Sequence, residues 1–81
     1  MRVTVRVFAR LREILGASEL DRDAPDGATV ASVWQALVDE HPALGPYSRS
    51  ISAARNLEYV PMATAVADGD EIAFLPPVSG G

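Results

Sequence analysis

The sequence has no cysteine and no lysine. Without cysteine there is no disulfide framework, no thiolate metal site and no thiol nucleophile. Iron–sulfur ferredoxins are thereby excluded, and nothing requires an oxidising compartment. Without lysine there can be no phosphate-cradling loop of the G-x-x-x-x-G-K type. No side-chain amine of this same protein could capture an activated carboxylate either, although an arginine-biased source explains the missing lysine more simply. Histidine is nearly absent too. His41 stands alone before Pro42, with no second histidine and no obvious carboxylate partner, so it reads as a helix-end residue rather than a base or metal ligand.

Positive charge is scarce. Seven bases, all arginine, face eleven acids, for a net charge of −4. An acidic chain without a basic stripe is a poor binder of nucleic acid, and no nucleic-acid partner is expected. Long apolar runs are missing as well. The N-terminal stretch alternates instead of running apolar, so neither a signal peptide nor a membrane span is expected, and the default location is the cytoplasm. What remains is a chain of 81 residues, 48 % of them apolar, enough for one small globular domain with one core. Its stability should lie near the low end for folded domains, roughly 5 kcal/mol or somewhat above.

Arg2 to Phe8 alternates with period two and is rich in β-branched residues, which predicts a strand with Val3, Val5 and Val7 inward. Phe8 then falls with the polar residues on the opposite face. Ala9 to Leu15 carries Leu11, Ile14 and Leu15 at helical spacing and stops at Gly16, a suitable C-cap. Glu19 to Asp23 reads as a second strand, antiparallel to the first, and Ala24-Pro25-Asp26-Gly27 as a turn. Thr29 can cap a helix reaching about Glu40, with Val30, Val33, Trp34 and Leu37 as its apolar stripe. Pro42 ends it. Ala43 to Ser50 reads as loop, Ile51 to Ala54 and Leu57 to Val60 as short strands, and Ala67 to Asp70 as a turn. Glu71 to Leu75 is the last strand, with Ile72 and Phe74 toward the core. The acids Asp68, Asp70 and Glu71 read as a solvated turn.

This order predicts an α+β roll: a mixed sheet of four to five strands over one main helix, the last strand parallel to the first. That pairing would bring Phe8 and Leu75 together on the outer sheet face, where Tyr59 could join them as a partner interface. Residues 1–75 would form the domain and residues 76–81 an extended tail. Pro76 and Pro77 cannot donate to a ladder and favour extended geometry, so they carry the chain outward through Val78 and Ser79. Gly80 and Gly81 have no side chains, which lets a narrow channel close around them. A terminal Gly-Gly alone is a weak motif that chance or a cloning scar can produce. Here it follows a rigid exit from a strand, which makes the Gly81 carboxylate the candidate working group.

The chain resembles the β-grasp, ubiquitin-like sulfur carriers, and among them the MoaD family, the small subunit of molybdopterin synthase. The likeness spans nearly the full length. It is carried by Val7 to Glu13 with Gly16, by the Thr29 helix, and most specifically by Asp68 to Gly81 with its Pro-Pro-Val-Ser-Gly-Gly ending. It departs at Ala54-Arg55-Asn56, where relatives often carry Val-Asn. The resemblance implies a carrier that is not an enzyme by itself and binds no cofactor. A ubiquitin-activating-type (MoeB-like) adenylyltransferase would convert Gly81 to an acyl-adenylate, and a persulfide donor would turn it into a thiocarboxylate. The tail (Pro76, Pro77, Val78, Ser79 and Gly80) would then insert into the large (MoaE-like) synthase subunit and give sulfur to cyclic pyranopterin monophosphate. Two carriers would serve each synthase dimer. Three alternatives stay open: a carrier for thiazole, cysteine or tRNA thiolation, a ubiquitin-like protein modifier, or a plain β-grasp binding domain with inert glycines.

Overall fold

The computed structural model describes residues 1–77. In chain order the elements are β1 (Arg2–Val7), α1 (Ala9–Leu15), β2 (Glu19–Asp23), α2 (Val30–Glu40), a 3-10 helix (Pro42–Tyr47), β3 (Ser52–Arg55), β4 (Glu58–Val60) and β5 (Glu71–Leu75). The five strands form one sheet in the order β2-β1-β5-β3-β4. Only the central pair, β1 with β5, is parallel; the other three pairings are antiparallel. This is the mixed sheet on one main helix that the pattern predicts, and the β-grasp arrangement that the resemblance implies. Among the described residues no helix is long and apolar enough to cross a membrane.

The core follows from the two periodicities. Val3, Val5 and Val7 of β1 and Ile72 and Phe74 of β5 point to one side of the sheet and are buried. Val30, Val33, Trp34 and Leu37 come around every turn of α2 to cover them. The Trp34 and Phe74 rings meet at 5.1 Å between centroids, tilted by 57°. Such tilted pairs are worth about 0.5–1.5 kcal/mol beyond area burial. Thr29 begins α2 with a reciprocal cap: its hydroxyl accepts from the Ser32 N–H while the Ser32 hydroxyl accepts from the Thr29 N–H. Gly16 ends α1 in the left-handed region, at φ +74°, and its N–H bonds the Arg12 carbonyl.

The stretch expected as loop, Ala43 to Ser50, contains the 3-10 helix instead. Pro42 supplies a preset φ at its start, and Leu44 is fully buried. Beyond its last turn, Ser48 accepts the Trp34 indole N–H at 2.9 Å. The buried indole donor is thus satisfied by a segment whose Gly, Pro and Ser content reads as irregular. His41 is the C-cap of α2, its N–H bonded to the Leu37 carbonyl, as its place before Pro42 implied.

The turn before β5 is more ordered than a solvated turn. Asp70 accepts from the Ala67 N–H at 2.8 Å and from the Asn56 amide at 3.0 Å. The Asn56 amide oxygen in turn accepts the Glu71 N–H at 2.9 Å, and the Asn56 N–H bonds the Glu71 carbonyl. Asp68 accepts the Arg2 N–H at 2.6 Å. The start of β5 is therefore held from both sides. The Asn56 amide first, and the Ala67 N–H second, stabilise the charged carboxylate and hold Asp70 below its ordinary range, against the opposing effect of burial. A depressed folded-state pKa contributes stability that is present above the unfolded value, about pH 4, and is lost as pH falls through the folded value. Asp70→Asn should accordingly lower the melting temperature at pH 7, and the gap from the parent should close in melts below pH 4. A gap that persisted unchanged in acid would show that the charge is not what matters.

Candidate functional site

Strand register assembles the outer face of the sheet. Arg6 pairs with Ala73, Ala73 with Ala54 and Ala54 with Tyr59, so these four residues form one row across four strands. Their neighbours Val5, Val7, Ile72, Phe74 and Ala53 all turn to the core, which fixes the row on the opposite side. Two alanines give the row a flat floor between Tyr59 and Arg6. One step along, Leu75 pairs with Ser52, and Phe8 follows Val7, the partner of Phe74. The parallel register thus sends Phe8 and Leu75 off the sheet side by side.

Phe8 is not a strand residue, as its pattern suggested, but the residue before α1, still extended at φ −132° and ψ 158°. The chain turns at Ala9, where φ is +52°, and leaves the Phe8 ring exposed. Tyr59 is 75 % exposed. Leu75 is half-buried, as is Pro76, while Pro77 is exposed. The predicted interface residues Phe8, Tyr59 and Leu75 therefore share one face, and β5 runs from that face into Pro76 and Pro77. The expectations for Val78, Ser79, Gly80 and Gly81 lie outside the described residues.

Two members of this face were not singled out from the sequence. The Arg6 guanidinium lies 5.7 Å from the Phe8 ring centroid, and its Nη1 is 3.9 Å from the Glu71 carboxylate. Period two already sets Arg6 on the face of Phe8, and only the register brings Glu71 beside it. Leu57 is the second. Arg55 pairs with Glu58, leaving a two-residue hairpin loop, Asn56-Leu57, with φ of +50° and +74°. Such loops favour Asn-Gly because both residues sit in the left-handed region. Asn56 suits its place, whereas Leu57 is a branched residue held there with its side chain 86 % exposed. A side chain in that region costs roughly 1–2 kcal/mol. Leu57→Gly should raise stability by about 1 kcal/mol, seen as a rise of about 4–8 °C in the thermal midpoint. A fall would mean that Leu57 packs favourably in the free protein.

Compared with known proteins, the chain matches the ThiS family over residues 5–81. It is 37 % identical to the molybdopterin synthase sulfur carrier subunit of Chlamydomonas reinhardtii, the alignment covering 100 % of both chains. Its fold is similar to the crystal structure of SAMP1 from Haloferax volcanii, with a TM-score of 0.84, 37 % identity and 100 % of both chains covered. It is also similar to a chain in the protein–protein complex of subunits 1 and 2 of molybdopterin-converting factor from Helicobacter pylori. There the TM-score is 0.71 and the identity 27 %, again over 100 % of both chains.

Proposed function

Because the chain belongs to the ThiS family, we propose that it is the sulfur carrier subunit of molybdopterin synthase and works through the carboxylate of Gly81. The observation that carries this reading is the union of face and exit. An apolar outer face formed by Phe8, Tyr59 and Leu75 adjoins the strand that leads into the Pro-Pro-Val-Ser-Gly-Gly ending. A partner seated on that face would receive the tail directly.

A carboxylate is a poor electrophile because its leaving group is oxide, so it needs ATP. The sequence has no phosphate-binding loop to do this itself. An adenylyltransferase of the ubiquitin-activating type would therefore form the Gly81 acyl-adenylate, releasing pyrophosphate. The terminal sulfur of a persulfide donor then displaces AMP to give an acyl disulfide. A thiol cleaves its S–S bond, releasing the thiocarboxylate and leaving the donor sulfur and that thiol joined as a disulfide. Docked on the large synthase subunit, the carrier presents that sulfur to cyclic pyranopterin monophosphate. Terminal glycines leave the acyl carbon uncrowded, and a tail stiffened by two prolines loses less entropy on insertion. The carrier supplies sulfur and docking, and the catalytic groups are the partner's.

The test is reconstitution. Thiocarboxylated chain, mixed with the large subunit from the same source, should convert the cyclic pterin to its dithiolene product. A thiocarboxylate that forms but leaves the pterin unconsumed would favour a carrier for thiazole, cysteine or tRNA thiolation. Tyr59→Arg should weaken the complex with the large subunit about tenfold or more while leaving the melting temperature unchanged. Likeness to SAMP1 favours a second reading, a ubiquitin-like modifier. Covalent conjugates of this chain with lysines of other proteins would support it.

A further inference from the structure

On the helix side of the sheet a groove of about 390 Å³ runs between the end of β2 and α2. Val33, Ala36 and Leu37 line it from α2, and Val3, Ala24 and Pro25 from the sheet and the following turn. Beside it lies an open strand edge. In the sheet order β2 is terminal, and β1 is the one strand that pairs with it among the described residues. Met1 and Ala24 exchange both backbone hydrogen bonds, each at 2.7 Å. Antiparallel alternation then makes Arg22 and Leu20 the next residues bonded to β1. Glu19, Asp21 and Asp23 consequently turn their N–H and C=O groups to the open edge, where the Asp21 carbonyl accepts from Arg22 Nη1 at 3.2 Å.

The charges around this edge are acidic. Arg22 is engaged by Glu40 at 3.4 Å, and Asp23 by Arg2 at 3.3 Å. Among the described residues no arginine lies in ion-pair range of Glu19, Asp21 or Asp39. Asp39 and Glu40 rim the groove itself. The side chains of Glu19, Asp21 and Asp23 are exposed on the other side of the strand, opposite Leu20 and Arg22. A second copy adding its own β2 here would set acid against acid, which disfavours pairing.

We propose that the β2 edge and the β2–α2 groove form a second docking site, for an extended peptide segment of a partner protein in which apolar and basic residues alternate. Added as a strand beside β2, such a segment satisfies the open backbone groups. Its period of two sends apolar side chains into the groove and basic ones along Glu19, Asp21 and Asp23. Charge complementarity fixes the sign and the groove fixes the alternation. The groove lies on the opposite sheet face from Phe8, Tyr59 and Leu75, while Glu19, Asp21 and Asp23 pair with Arg6, Thr4 and Arg2 and lie at the β2 end of the outer face. The proposal does not rest on the sulfur-carrier reading, and neither fails with the other.

A library of random octapeptides displayed on phage, selected on the immobilised full chain, tests it. Enriched peptides should alternate Lys or Arg with Val, Ile or Leu. A synthetic peptide of the enriched sequence should slow amide hydrogen exchange at Glu19, Asp21 and Asp23. Replacing both Asp21 and Asp39 by lysine should weaken binding at least tenfold, and more so at low salt, while Tyr59→Arg leaves it unchanged. Trp34 fluorescence reports that each variant is folded. No enrichment, enrichment of acidic sequences, or protection on β3 and β4 instead of β2 would overturn the proposal.

Discussion

Deleting Gly81 is expected to lower sulfur transfer at least 100-fold and to leave the thermal midpoint where it was. The truncated chain still ends in glycine, and Gly80 still offers a carboxylate, so the chemistry of the end group is unchanged. What changes is reach. One residue of extended chain spans about 3.5 Å. A misplacement of only about 1 Å at a reacting centre can cost roughly 100-fold in rate. No loss of fold is expected, because among the described residues every buried hydrophobic lies between Val3 and Phe74. The check pairs a sulfur-transfer assay with a thermal melt. Unimpaired transfer would remove Gly81 from the chemistry, and a lowered midpoint would give it a structural part.

Phe74→Ala should fail in the opposite way, by unfolding the carrier. Phe74 is fully buried, pairs in register with both Val7 and Ala53, and packs its ring on Trp34. Truncating a buried Phe costs about 3–5 kcal/mol. For a domain holding roughly 5 kcal/mol in all, that leaves little or nothing. Urea titration followed by Trp34 fluorescence should show the variant largely unfolded, or melting at the lowest denaturant. Phe74→Leu, which keeps most of the volume, should retain a cooperative transition. A robustly folded Phe74→Ala protein would mean that the sheet–helix core relaxes around the cavity far more than its packing suggests.

Contrasting these two variants shows which parts of the molecule could be read in advance. Local periodicity made β1, β5 and α2 legible, because Val3, Val5 and Val7 repeat at two while Val30, Val33, Trp34 and Leu37 repeat near 3.6. Single residues with one physical job were legible too: Gly16 in the left-handed region, Thr29 as a cap, Gly69 at φ +87° in the turn before β5. The face of Phe8, Tyr59 and Leu75 came from one topological step, the parallel pairing of the first and last strands. The rest needed pairings that sequence does not show. Arg6 meets Glu71 only through register. Asn56 and Asp70 are 14 residues apart and become a clamp only when the β3–β4 hairpin lies against β5. Leu57 carried no signal at all, since nothing in an apolar residue announces a positive φ. Pro42 to Tyr47 was hidden for another reason, that the residues of a short 3-10 helix are also those of a loop.

The most direct measurement of the central claim is the intact mass of the purified chain after incubation with ATP, an adenylating enzyme from the same source and a sulfur donor. A gain matching the replacement of one oxygen by one sulfur, mapped by fragmentation to Gly81, is the predicted result. An unchanged mass, with the same enzyme shown active on another carrier, would contradict it and leave the outer face and its tail to a modifier or a plain binding domain.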